Sequence, residues 1–374
     1  MTLQIEPSSQ ALGTFISGID LREPFNEAAT AELQRIWNEH PVMIFRGQEL
    51  SDADLLRFSG HFGECDRAPV GDALLNRDIP PEITVISNVK KNGAPIGFLG
   101  TGELIWHTDM SYNPEPAIAS GLYALDVTKG AGGETSYLNM YAAFDALPSA
   151  LLGRIKDCSA IHDSSYTSAG TLRTGMPAVM DVSKAPGAHH RLLRTHPATG
   201  RTALFLGRRP NAYILGLPVE ESEALLDEIW AHTMQDRFVY THRWERGDLV
   251  FWDNRCVMHR REAFDDSEHR IMHRTTTQVK AGQATSIRST TSTDSANLNR
   301  LGNTSGRTKS NSDSRLTSLT YPVTKRMARF GWSRATQRTS ETPLITGVRI
   351  SESRRSYPPN AFNASAPLDT ALTV

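Results

Sequence analysis

Ile105-Trp106-His107-Thr108-Asp109-Met110-Ser111-Tyr112 places a histidine and an aspartate two residues apart. On an extended strand side chains alternate faces, so His107 and Asp109 project the same way and can hold one ion while Thr108 points elsewhere. The pair is a weak signal by itself in a chain with 12 histidines. A second stretch, Phe251-Trp252-Asp253-Asn254-Arg255-Cys256-Val257-Met258-His259, changes its weight, because Arg270 and Arg274 follow it. Two imidazoles and one carboxylate on one side of an octahedral ion leave positions for substrate and dioxygen, an arrangement suited to non-haem Fe(II). Zinc favours four-coordinate closure or an HExxH helix, and the sequence has no HExxH.

Around these stretches the chain alternates many short β-like runs with few helices. Glu27 to His40 carries Leu33, Ile36 and Trp37 at helical spacing, Ser51 can cap a helix containing Leu55, Leu56, Phe58 and Phe62, and a third helix is expected after Pro218. Strands are predicted at 41–45, 83–86, 119–127, 192–195, 203–206, 238–240, 249–252 and 271–278. Pro197-Ala198-Thr199-Gly200 reads as a hairpin turn. No GxGxxG or GxxxxGK[ST] follows a strand, which argues against a nucleotide-binding α/β fold and for a barrel or sandwich with helical cover.

The 374 residues are 39% hydrophobic and 22% charged, the balance of a globular chain. No apolar run is long enough to span a membrane, and the first residues lack the basic start and apolar stretch of a secretory signal. Three widely spaced cysteines, Cys65, Cys158 and Cys256, form neither a disulfide framework nor a metal knuckle, so a cytoplasmic protein is expected. The net charge of −1 conceals two different materials. Residues 283–374 hold 13 Lys and Arg against 5 Asp and Glu, with 15 Ser and 15 Thr, and residues 1–282 carry the acidic balance. The expected organisation is a catalytic domain over 1–282 and a basic, Ser/Thr-rich tail over 283–374 with too little apolar surface to order itself. No nucleic acid is expected on the acidic body.

From about Ile16 to Gln278 the chain resembles the taurine dioxygenase and 2,4-dichlorophenoxyacetate dioxygenase family of Fe(II)- and 2-oxoglutarate-dependent oxygenases. The matching residues are Val42 to Gln48 (VMIFRGQ), Ile86 to Val89, Trp106 to Asp109 (WHTD), Gly132 to Thr135 (GGET), Asp145 to Pro148, Thr195-His196-Pro197 with Thr199-Gly200-Arg201, Gly247-Asp248, Trp252 to Arg255 (WDNR), His259, and Arg270 to Thr275 (RIMHRT). The resemblance implies a mostly β fold with flanking helices, a double-stranded β-helix or jelly roll. It implies iron held by His107, Asp109 and His259, with Arg270 and the Thr135 hydroxyl on the distal carboxylate of 2-oxoglutarate. Arg274 would meet the acidic group of the primary substrate. The implied reaction consumes O2, releases succinate and CO2, and hydroxylates the substrate, with ascorbate stimulating turnover; because Asp109 is kept, hydroxylation is expected rather than halide transfer.

The expected partner is a small organic acid, such as a phenoxyalkanoate, sulfonate or sulfate ester, with no membrane; a homo-oligomer is left open. Glu103 stands where taurine dioxygenase has an asparagine, and Ala68 where it has a histidine, which argues against taurine itself. Glu103 facing the pocket would repel an anion or welcome an amine, whereas Arg274 favours an acid. A catalytically silent jelly-roll metal-binding protein and a Zn-dependent hydrolase using the same ligands are the competing readings. His196, His242, His269 and His273 are assigned structural roles, the last two because they flank the arginines at i−1 and so face away. Cys256 is expected in the core.

Overall fold

Along the strand Val42–Phe45, alternate side chains leave opposite faces: Val42 and Ile44 enter one apolar cluster, Met43 and Phe45 another. Its antiparallel neighbour Leu249–Asp253 divides in the same way, with Val250 and Trp252 on the first side and Leu249 and Phe251 on the second. A strand covered on both faces is apolar at every position, which is why these stretches read as unbroken hydrophobic runs. The computed structural model describes residues 3–68 and 78–279. The tail expected over 283–374 lies outside the described residues.

Both strands belong to a nine-stranded sheet in which Ala119–Asp126 lies between Leu249–Asp253 and Ile271–Gln278, all three antiparallel. A four-stranded sheet runs in the order Val239–His242, Thr135–Asn139, Val257–Arg261, Leu104–His107. One core cluster combines Leu122, Val250 and Trp252 of the larger sheet with Tyr137, Leu138, Val257 and Met258 of the smaller, so it fills the space between them. The architecture is a mostly β double-stranded β-helix with few helices.

The outer face of the larger sheet is covered by the helices Glu27–Glu39 and Asp52–Gly60. The first is capped by Asn26, whose side chain accepts from the Ala29 N–H, and the second by a reciprocal capping box between Ser51 and Asp54. Leu33, Ile36, Trp37, Leu55 and Phe58 close over the sheet. Phe251 is the centre of this layer, with ring centroids 4.5 Å from Phe62, 5.4 Å from Phe58 and 5.9 Å from Trp37. Gly121 makes room for it, since a Cβ there would lie 2.9 Å from the Phe251 ring and 3.0 Å from Thr275 Oγ1.

The helix after Pro218 spans Val219–Thr233, and the turn at residues 197–200 joins the paired strands Leu193–Thr195 and Thr202–Leu204. Phe238 ends a 3-10 turn, so the strand expected from it begins at Val239. A three-stranded sheet formed by Ser159–Asp163, Gly187–Arg191 and Tyr213–Ile214, and the helices Met140–Asp145 and Ser149–Ile155, were not foreseen. Gly187–Arg191 (GAHHR) buries only Ala188 and His190, and no apolar alternation announces it. Among the described residues no helix is long and apolar enough to cross a membrane. Phe251→Ala should lower the unfolding free energy by about 3–5 kcal/mol in denaturant melts; a loss under about 1 kcal/mol would show that the aromatic layer is not what secures the helices.

Candidate active site

The smaller sheet sets two imidazoles opposite one another. His259 is the register partner of His107 across the antiparallel pair, and their ring centroids are 4.1 Å apart. The strand ends at His107, and the chain turns through Thr108 and Asp109 to Met110, whose φ is 54°. Asp109 therefore reaches the imidazoles from a turn and not by the strand alternation expected from the spacing. Its Oδ1 lies 3.6 Å from His107 Nε2 and its Oδ2 3.9 Å from His259 Nε2. One ligand atom from each of the three residues lies within 4.8 Å of the others, and all three are buried.

The surroundings prepare these atoms to bind a cation. His107 Nδ1 is 2.7 Å from the Ile105 carbonyl, which can only accept; a proton therefore sits on Nδ1, and the ring is oriented with Nε2 toward Asp109. Burial, followed by the neighbouring His107, pushes His259 down to about 3, so it is a neutral imidazole at ordinary pH. Burial alone would raise Asp109, but Arg274, His259 and His107 outweigh it and hold the carboxyl well below its ordinary value. Ser120 Oγ donates to Asp109 Oδ2 at 2.8 Å, Asn254 Nδ2 donates to Ser120 Oγ at 2.9 Å, and Trp252 Nε1 donates to Asn254 Oδ1 at 3.0 Å. Arg274 Nη1 approaches Asp109 Oδ1 at 3.3 Å. Two imidazole nitrogens with one carboxylate suit a divalent transition metal.

Arg270 sits just before the strand Ile271–Gln278 and is 2% exposed. Its Nη2 has no partner, and among the described residues no carboxylate pairs with it. Burial, then the charge of Arg261, pushes it down to about 9, which leaves it cationic at neutral pH. A buried guanidinium without a counter-charge is unfavourable until an anion joins it. The guanidinium carbon lies 5.9 Å from the centroid of the Trp244 ring, and Trp244 Nε1 donates to Thr135 Oγ1 at 3.0 Å. Thr135 and Arg270 thus meet around one indole, where a guanidinium and a hydroxyl can both donate to an anion.

The remaining candidates fall elsewhere. Glu103 is exposed, and the cation within ion-pair range of it is Arg260, at 3.8 Å. His196 Nε2 bonds to Asp253 Oδ2, and His242 Nε2 to Asp248 Oδ2, each at 2.9 Å. His273 Nδ1 turns away to Asp52 Oδ1 at 2.7 Å, and His269 is exposed. Cys256 is buried, and the cysteines at 65, 158 and 256 are all free. Sequence reasoning gave no role to Ser120, Trp244 or Arg261 and quoted Asn254 only within a motif. Arg261 is 3% exposed and donates to the carbonyl oxygens of Leu99 and Gly102, fixing the loop that leads to His107. Their contacts are made by the folded chain, Trp244 with Thr135 and Arg261 with Leu99 from more than 100 residues away, and helix or strand periodicity does not mark them.

Residues 4–276 match the taurine catabolism dioxygenase TauD, TfdA family. The alpha-ketoglutarate-dependent 2,4-dichlorophenoxyacetate dioxygenase of Cupriavidus pinatubonensis is 33% identical over 300 residues, covering 74% of this chain and 98% of its own. The (S)-phenoxypropionate/alpha-ketoglutarate-dioxygenase of Delftia acidovorans is 32% identical over 279 residues, covering 72% of this chain and 93% of its own. The crystal structure of AAD-2 in complex with Mn(II) and N-oxalylglycine superposes with a TM-score of 0.61 at 31% identity, covering 75% of this chain and 99% of that one. With this match over most of its length and the His-Asp-His cluster in place, the chain belongs to the TauD/TfdA family of 2-oxoglutarate-dependent dioxygenases.

Proposed function

We propose that the enzyme holds Fe(II) with His107, Asp109 and His259 and hydroxylates a small organic acid, a phenoxyalkanoate first and a sulfonate or sulfate ester next. The observation that carries this reading is a pair of sheltered guanidiniums with unengaged N–H groups. Arg270 Nη2 and Arg274 Nε are both buried without partners, and Arg274 also lies 3.3 Å from the ligand Asp109. One cation is assigned to the co-substrate, with Thr135, and the other to the acidic group of the primary substrate. The phenoxyalkanoate relatives support the choice of substrate class. Glu103 is left out of this assignment, since it is exposed and Arg260 is its cationic neighbour.

Bound iron would supply the oxidising chemistry that couples O2 and 2-oxoglutarate, giving succinate and CO2, to hydroxylation of a substrate C–H bond. The protein's part is placement. Arg270 and Thr135 bind the distal carboxylate, Arg274 orients the substrate acid, and the buried ligand set keeps water from the reacting carbon. Hydroxylation of a carbon bearing an ether oxygen yields a product that falls apart, so on a phenoxyalkanoate the reaction becomes cleavage. Free cysteines at 65, 158 and 256 support a reducing, cytoplasmic setting, and ascorbate is expected to stimulate turnover by keeping iron ferrous.

Succinate formation from 2-oxoglutarate should depend on Fe(II) and O2 and rise when phenoxyalkanoates are added; zinc-supported hydrolysis without oxygen uptake would overturn the reading. His107→Ala should abolish stoichiometric metal binding measured by calorimetry. Arg270→Ala should raise the KM for 2-oxoglutarate about a hundredfold, more than it lowers kcat, and unchanged kinetics would remove Arg270 from the co-substrate site. Arg274→Ala should raise the KM for the organic acid at least about tenfold while leaving 2-oxoglutarate binding near wild type.

A further inference from the structure

Thr135 is 3% exposed and occupies the first position of the strand Thr135–Asn139. Its oxygen accepts from Trp244 Nε1 at 3.0 Å. An indole can only donate, so this bond fixes the polarity of the hydroxyl: the oxygen is the acceptor and the Thr135 proton is left for another group. Among the described residues the Thr135 hydroxyl makes no hydrogen bond besides the one from Trp244, and nothing accepts from Arg270 Nη2. Two buried donors therefore stand unengaged beside one indole, whose ring lies 5.9 Å from the Arg270 guanidinium carbon, within cation–π range.

Trp244 is itself held. The His242 ring meets it edge-on, with centroids 4.6 Å apart and planes at 85°. His242 is the register partner of Thr135, its Nδ1 lies 2.9 Å from the Tyr240 hydroxyl, and its Nε2 bonds to Asp248 Oδ2 at 2.9 Å. Asp248 is fully buried and also accepts from Arg46 Nη1 at 2.5 Å and from the Glu245 N–H at 2.8 Å. Trp244, itself partly buried, is thus packed against a ring that is hydrogen-bonded at both nitrogens.

We propose that Trp244 is a positioning residue for the co-substrate: its N–H turns the Thr135 hydroxyl into a fixed donor toward the anion on Arg270, and its ring shields that guanidinium. This rests on the assignment of Arg270 and Thr135 to the distal carboxylate of 2-oxoglutarate. Trp244 touches no reacting atom in this scheme and acts through Thr135.

The test is calorimetric binding of two keto acids to Mn(II)-loaded enzyme without turnover. One is 2-oxoglutarate, and the other is 2-oxopentanoate, which has the same carbon skeleton without the distal carboxylate. Trp244→Phe keeps a ring and removes the N–H; it should weaken 2-oxoglutarate about tenfold and leave 2-oxopentanoate unchanged. In a Thr135→Val background the same substitution should add nothing further. Replacing Trp244 by benzothienylalanine, which exchanges only N–H for sulfur, gives the same comparison in a side chain of the same shape should Trp244→Phe fold poorly. Equal losses for both keto acids, additivity with Thr135→Val, or no loss would overturn the proposal. Wild-type binding of 2-oxoglutarate by Thr135→Val and Arg270→Ala would instead overturn the underlying assignment.

Discussion

A carboxylate almost sealed from water, Asp109, is the point on which the site depends. Its burial favours the neutral acid, and Arg274, His259 and His107 reverse that preference. Ser120 and Arg274 reach it from the larger sheet, while the chain that carries it leaves the smaller one. One ionised group thus ties the two sheets together where the chemistry is placed. The tie is electrostatic in a medium of low polarity, so each partner is worth more there than at a surface.

The same economy leaves positive charge without a permanent partner. Arg270 and Arg261 are both nearly inaccessible, and neither is paired with a carboxylate among the described residues. Such groups destabilise a fold unless packing elsewhere compensates. The larger sheet provides that packing, since its central strands are covered by the inter-sheet core on one side and by the aromatic layer around Phe251 on the other. On the assignment proposed above, an anionic co-substrate would meet a cation that is already desolvated, so little reorganisation would accompany binding.

The meeting of His107, Asp109 and His259 was readable because residue type and order together carry the signal, and the three packing helices because their apolar spacing is local. The strand alternation that suggested the His107–Asp109 pairing is replaced by a turn at Met110, so the two residues meet through a different backbone path. Ser120 was not readable: one small polar residue inside the apolar run Ala119–Asp126 looks like filler until Asp109 is seen to accept from it. Trp244 was missed for the same reason, its partner Thr135 being 109 positions away. Interactions across sheets depend on register, and no local periodicity encodes register.

The pairing of His259 with His107 has a consequence for how the chain assembles. A slip of either strand by one residue would turn one imidazole to the other side of the ribbon and leave the divalent ion with too few donors. Retention of metal therefore reports correct alignment of two segments separated by some 150 residues of chain. With His107, Asp109 and His259 as its donors, a bound ion would act as a clasp that closes only on the properly threaded polypeptide, and mispaired chains would forfeit that stabilisation.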